Sequence, residues 1–218
     1  MNRESLTKEL MDGGIIAIVR ADSSPDNVVA AVGAVLEGGV RCIEVTLTTS
    51  GAIDCIAHAA ATFANTPLLL GVGSVIDAES CRAAIDSGAQ YVVSPVIAPP
   101  VIEAAHTLGK PVLPGAYTPT EIFHAWQLGA DIVKVFPAGF GGVSYIKAVR
   151  APLPQIPLAP TGGVTVENVG DFIRAGAVAL GVGSNLIGKE LVASRDLATL
   201  RSNARAFQEA LTAAREER

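Results

Sequence analysis

The chain has 218 residues, half of them hydrophobic and only 17% charged, with a formal net charge of −5. That balance excludes a disordered polypeptide, which needs low hydrophobicity and high net charge, and the length suits one large domain over 1–218 with a buried core. No dense Lys/Arg run is present, so a nucleic-acid partner is not expected. The opening MNRESLTKELMDGG is too polar for a secretory signal, and runs such as IIAIV and PLLLGVG are too short to span a bilayer. A cytoplasmic protein without a membrane partner is expected.

In chain order, a short polar helix comes first. Apolar runs then recur at 15–20, 41–45, 68–71, 91–94, 111–114, 131–136, 156–160 and 177–181, each followed by an amphipathic stretch. Ser24, Asp77 and Thr118 stand where side-chain oxygens cap helix starts. Gly38-Gly39, Gly88, Gly109, Gly129 and Gly176 stand where helices end. Continuous apolar strands alternating with helices predict a parallel sheet covered by helices. Eight such units predict a single (β/α)8 TIM barrel with a short N-terminal helix; a doubly wound open sheet is the alternative.

Cys42, Cys55 and Cys81 form no CxxC pair, which argues against a disulfide framework or a zinc site. His58, His106 and His124 fall in separate helical stretches without ligand spacing, so no metal is expected.

Of five lysines, only Lys134 falls inside an apolar strand, in ADIVKVFPAG. Removing an unpartnered ammonium from water is costly, and burial lowers its pKa toward the free amine that attacks carbonyls. Strand alternation puts Ile132, Lys134 and Phe136 on one face and Val133 and Val135 on the other. In CIEV it likewise puts Cys42 and Glu44 opposite Ile43 and Val45. Strands two and six are both even-numbered, and alternate strands fill the same interior layers of a barrel, so Glu44 and Lys134 meet there. A buried structural ion pair gives the same pattern.

Six stretches decide between these readings: GGVRCIEVTLTT at 38–49, GVGSV at 71–75, GAQYVVSP at 88–95, VLPGAYTPTE at 112–121, KVFPA at 134–138 and PTGGVT at 160–165. In these residues and their order the chain resembles the 2-keto-3-deoxy-6-phosphogluconate (KDPG) / 4-hydroxy-2-oxoglutarate (KHG) aldolase family. The resemblance implies a class I aldolase with Lys134 as the Schiff-base lysine and Glu44 as the general acid/base. It implies a homotrimer without metal or cofactor. Its partners would be a small keto-deoxy sugar acid phosphate and pyruvate, as in the Entner–Doudoroff route. The segment GFGGVSYIKAV at 139–149 resembles relatives acting on the galactonate epimer, so gluconate, galactonate and hydroxy-oxoglutarate substrates all stay open.

Two glycine-rich loops follow the last two predicted strands. Thr161, Gly162 and Gly163, with Gly183 and Ser184, occupy the usual barrel position for a phosphate, although glycines also simply make tight turns. At the other end of such a substrate, Gly73 and Ser74 offer N–H and hydroxyl donors to a carboxylate. Arg20 offers a bidentate guanidinium, or is a solvated strand-end arginine. Some relatives carry arginine where this chain has Thr48 and threonine where it has Ser74, which puts carboxylate binding by Thr48 in doubt and makes Arg20 the cation of interest. Pro95 and Phe136 are candidate pocket walls. The competing classes are a phosphate-binding barrel isomerase or epimerase and a non-catalytic phosphosugar-binding protein.

Overall fold

The computed structural model describes residues 1–217. Helix α1 (Arg3–Gly13) leads into β1 (Ile15–Val19), followed by α2 (Pro25–Glu37), β2 (Cys42–Thr46), α3 (Ala52–Thr62), β3 (Leu69–Gly73), α4 (Ala78–Asp86) and β4 (Tyr91–Val93). Next come α5 (Pro99–Thr107), β5 (Val112–Leu113), β6 (Gly115–Ala116), α6 (Pro119–Gln127), β7 (Val133–Val135) and α7 (Gly142–Arg150). The remaining elements are β8 (Leu158–Pro160), α8 (Val169–Arg174), β9 (Leu180–Val182), α9 (Lys189–Ala193) and α10 (Leu197–Glu216).

Local chemistry sets the boundaries. Ser24, Asp77 and Thr118 each accept a backbone N–H at the start of α2, α4 and α6, and Thr118 and Glu121 cap one another reciprocally. Gly88 follows α4 with φ of 114°, a left-handed conformation that lets the chain turn sharply into β4.

The strands form a curled parallel sheet in two hydrogen-bonded parts. One runs β5-β4-β3-β2-β1-β9 and the other β6-β7-β8. The expected strand at 111–114 differs from the one observed. Pro114 has no N–H to donate, and the chain is divided there: β5 pairs with β4, while β6 pairs with β7. A parallel bridge between Thr161 and Gly181 links the end of β8 to β9.

Two apolar clusters occupy the two faces of this sheet. Ile43, Val45, Val133 and Val135 belong to the larger one, between strands and helices. Ile16, Cys42, Leu69, Tyr91, Val93, Leu113 and Ile132 belong to the inner one, which Leu6 and Leu10 of α1 cover from the N-terminal ends of the strands. Strand parity therefore places Glu44 and Lys134 on the inner face, as expected. His58, His106 and His124 lie on α3, α5 and α6, and all three cysteines are free and buried. Among the described residues no helix is long and apolar enough to cross a membrane.

Asp131, just before β7, ties α1 to this framework. Its Oδ1 accepts from Arg3 Nε at 2.8 Å, its Oδ2 accepts from the Val112 N–H at 2.9 Å, and His106 Nε2 stands 3.3 Å away. Replacing Asp131 by alanine leaves the Val112 N–H without this acceptor and is expected to cost about 2 kcal/mol of stability in urea unfolding. A change below about 0.5 kcal/mol, the scale of an exposed ion pair, would refute this anchoring role.

Candidate active site

Lys134 is central to β7 and pairs with Gly115 on one side and Ala159 on the other. A methyl at Gly115 would overlap the Pro95 carbonyl, so this glycine lets β6 pass close to the end of β4. Lys134 is 7% exposed. Burial lowers its pKa below the ordinary lysine value, Arg20 adds to that, and the Glu44 charge opposes it. Its Nζ lies 5.1 Å from the centroid of the Phe136 ring.

Glu44 pairs in register with Ile18 on β1 and Gly71 on β3, and is 1% exposed. Burial raises its pKa, against the pull of Lys134 and Arg20. No ion pair joins Glu44 to Lys134 directly. They border a shared internal space of about 10 Å³, closed by Ile18, Val93 and Thr161 among others. Lys134 also reaches the floor of an open cleft of about 560 Å³. One amine thus faces both a buried acid and a space large enough for a small molecule.

The cleft lies at the C-terminal ends of the strands. Arg20 borders it after β1, Ser74 after β3, Pro95 after β4 and Phe136 after β7. Thr161 and Gly162 after β8, and Gly183 and Ser184 after β9, complete the set of expected residues. Ser74 has φ of 61°, a strained conformation for a non-glycine residue at a cleft edge.

Four expected residues lie outside the cleft wall. Glu44 sits beneath it. A methyl group at Gly73 would overlap Glu44 Oε1, so this glycine makes room for the acid. Thr48 is exposed, and its Oγ1 lies 2.9 Å from that of Thr46. Gly163 accepts from Asn168 Nδ2 at 2.9 Å.

The sequence reading missed Ile18, Ile187, Gly188, Lys189 and Glu190 in the wall. Lys189 and Glu190 open α9 just beyond the last glycine loop, and that position was the available signal. Volume alone does not select the site, since a depression of about 940 Å³ beside α1 gathers none of the expected residues. The convergence of perturbed titratable groups selects it.

A family model described as KDPG and KHG aldolase matches residues 6–202. The chain belongs to this family. It is 39% identical to the 2-dehydro-3-deoxy-6-phosphogalactonate aldolase of Escherichia coli (strain K12), over 79% of this chain and 83% of that protein. It is 35% identical to the 2-dehydro-3-deoxy-phosphogluconate aldolase of Treponema pallidum (strain Nichols), over 84% of this chain and 86% of that one. A solved structure described as native KDPGal superposes with a TM-score of 0.86 at 35% identity, covering 93% of this chain and 96% of the other.

Aldolase chemistry in this family gives the Gly73 observation a direct test. Gly73→Ala forces the Glu44 carboxylate from its place. We expect a folded protein whose pyruvate release, in a coupled lactate dehydrogenase assay, falls by about tenfold or more. Parental kcat/KM in this variant would show that the position of Glu44 is immaterial.

Proposed function

We propose that the chain is a class I aldolase cleaving 2-keto-3-deoxy-6-phosphogluconate, or its galactonate epimer, to pyruvate and glyceraldehyde 3-phosphate. 4-Hydroxy-2-oxoglutarate is a further substrate consistent with the family. The observation that carries this reading is Lys134: a buried amine of lowered pKa at the floor of a cleft, beside a buried carboxyl group.

In the proposed mechanism the Lys134 amine attacks the C2 ketone of the substrate, and loss of water gives a protonated imine. The C3–C4 bond then breaks, its electron pair flows into the imine to form an enamine, and Glu44 takes the proton of the C4 hydroxyl. The aldehyde departs, C3 is protonated, and water hydrolyses the imine to pyruvate and free Lys134. The imine is the electron sink, so the reaction calls for no metal or cofactor.

Arg20 and Ser74 are assigned to the substrate carboxylate, and Pro95 and Phe136 to the walls around its pyruvate end. Thr161, Gly162, Gly163, Gly183 and Ser184 are assigned to the phosphate, an anion suited to N–H-rich loops. Gly73 and Thr48 then support the acid and the rim.

We extend the proposal to architecture. One (β/α)8 barrel over the chain is favoured by the 112–116 segment, which touches both sheet parts, and by the Thr161–Gly181 bridge. A cytoplasmic homotrimer follows the family resemblance, and three free cysteines suit a reducing compartment.

Borohydride added with pyruvate should fix the adduct on the peptide carrying Lys134, seen by mass spectrometry. Trapping should weaken as pH falls through the lowered pKa of Lys134, because protonation removes the nucleophile. No adduct on Lys134 at saturating pyruvate would sink the mechanism and leave the isomerase or binding-protein readings.

Glu44→Gln should keep the fold and lose about a hundredfold or more in kcat, as removal of a general acid/base does. In the parental enzyme the acid limb of kcat, measured once Lys134 is held as the imine, should lie above pH 4.5, the ordinary carboxyl value, because burial raises Glu44. Near-parental turnover by Glu44→Gln would remove it from the role.

A further inference from the structure

Tyr91 on β4 is fully buried, and its hydroxyl is the one buried side-chain polar atom without a hydrogen-bond partner among the described residues. Register fixes its surroundings. Glu44 on β2 stands beside Gly71 on β3, and Gly71 stands beside Tyr91. A methyl at Gly71 would overlap the hydroxyl-bearing end of the Tyr91 ring. The phenol therefore lies across Gly71, with its oxygen directed toward the strand of Glu44. Gly71 and Gly73 thus have successive uses: the first admits the phenol, the second admits the carboxylate.

The Cys42 thiol of the same cluster is no partner for the Tyr91 hydroxyl, being turned toward the Glu9 carbonyl 3.8 Å away. An unpartnered phenol in such a core costs stability that phenylalanine would avoid. A hydroxyl in this place is better explained by what it faces.

We infer that Tyr91 is a positioning residue acting through Glu44: its O–H dipole favours the carboxylate over the carboxylic acid and sets where that side chain rests between proton transfers. This rests on the aldolase reading of the site. The charged groups acting on Glu44 are Lys134 on β7 and Arg20 beyond β1, and Tyr91 on β4 in turn feels the charge of Glu44 and of the Cys42 thiol. Arg20 and Lys134 act from the cleft, whereas Tyr91 acts from the closed interior, where low dielectric strengthens a dipole.

Tyr91→Phe removes only the hydroxyl. Its melting temperature should equal or exceed the parental value, and borohydride trapping of pyruvate on Lys134 should persist. The acid limb of kcat should move up by about half a pH unit or more, because a carboxylate that loses a favourable dipole binds its proton more tightly. At neutral pH kcat should fall severalfold.

In a Glu44→Gln background the same change should alter the residual rate less than twofold. A superimposable pH profile for Tyr91→Phe, or an equal loss in both backgrounds, would overturn the inference while parental trapping upholds the aldolase reading. Failure of trapping in the parental protein would instead remove the reading on which it rests.

Discussion

The site depends on holding an amine and a carboxyl group inside an apolar enclosure without letting them collapse into an ion pair. Desolvation works on both partners in the same sense, raising Glu44 and lowering Lys134, so it favours their neutral forms. Their mutual attraction works the other way. Burial is the larger influence on both, and Arg20 adds a smaller one that favours the carboxylate and the free amine together. An unprotonated amine beside a carboxyl group that can exchange protons is the combination that the proposed imine chemistry needs. A tight pair would have kept the amine protonated.

Small residues in the strands make the room that this interior needs. Gly115 and Ala159 flank Lys134, Gly71 and Gly73 lie beside Glu44, and a methyl at Gly181 would overlap Thr161 Oγ1. A strand normally loses stability by carrying glycine, since its backbone is freer in the unfolded chain and it packs nothing. In this interior the missing side chains become volume for polar ones. The helices and the larger apolar cluster supply the stability that the inner face gives up.

What was legible in the sequence follows from which physical rules are local. Period-two alternation is local, and it placed Lys134 with Ile132 and Glu44 with Cys42 on the inner face before any coordinates. N-caps are local too, and Ser24, Asp77 and Thr118 serve as read. Cross-strand register is not local. The division of the chain at Pro114, the reach of Tyr91 over Gly71 and the service of Gly73 to Glu44 all depend on neighbours distant in sequence. Lys189 and Glu190 escaped for a different reason: both are exposed and charged, like most helix-start residues, and only the position of α9 at the cleft distinguishes them.

The cleft and the interior also differ in how they handle charge. Toward the strand C-termini, Arg20, Lys189 and the glycine loops face solvent, where screening lets side chains and N–H groups adapt to anionic ends of different length. Beneath, Glu44 and Lys134 are enclosed by Ile16, Ile18, Val93 and Leu113, where a small displacement alters proton affinity strongly. The gluconate- and galactonate-type acids that the relatives are named for differ at C4, the carbon whose hydroxyl the proposed base deprotonates, so telling them apart falls to the contacts around the breaking bond as well as to the loops.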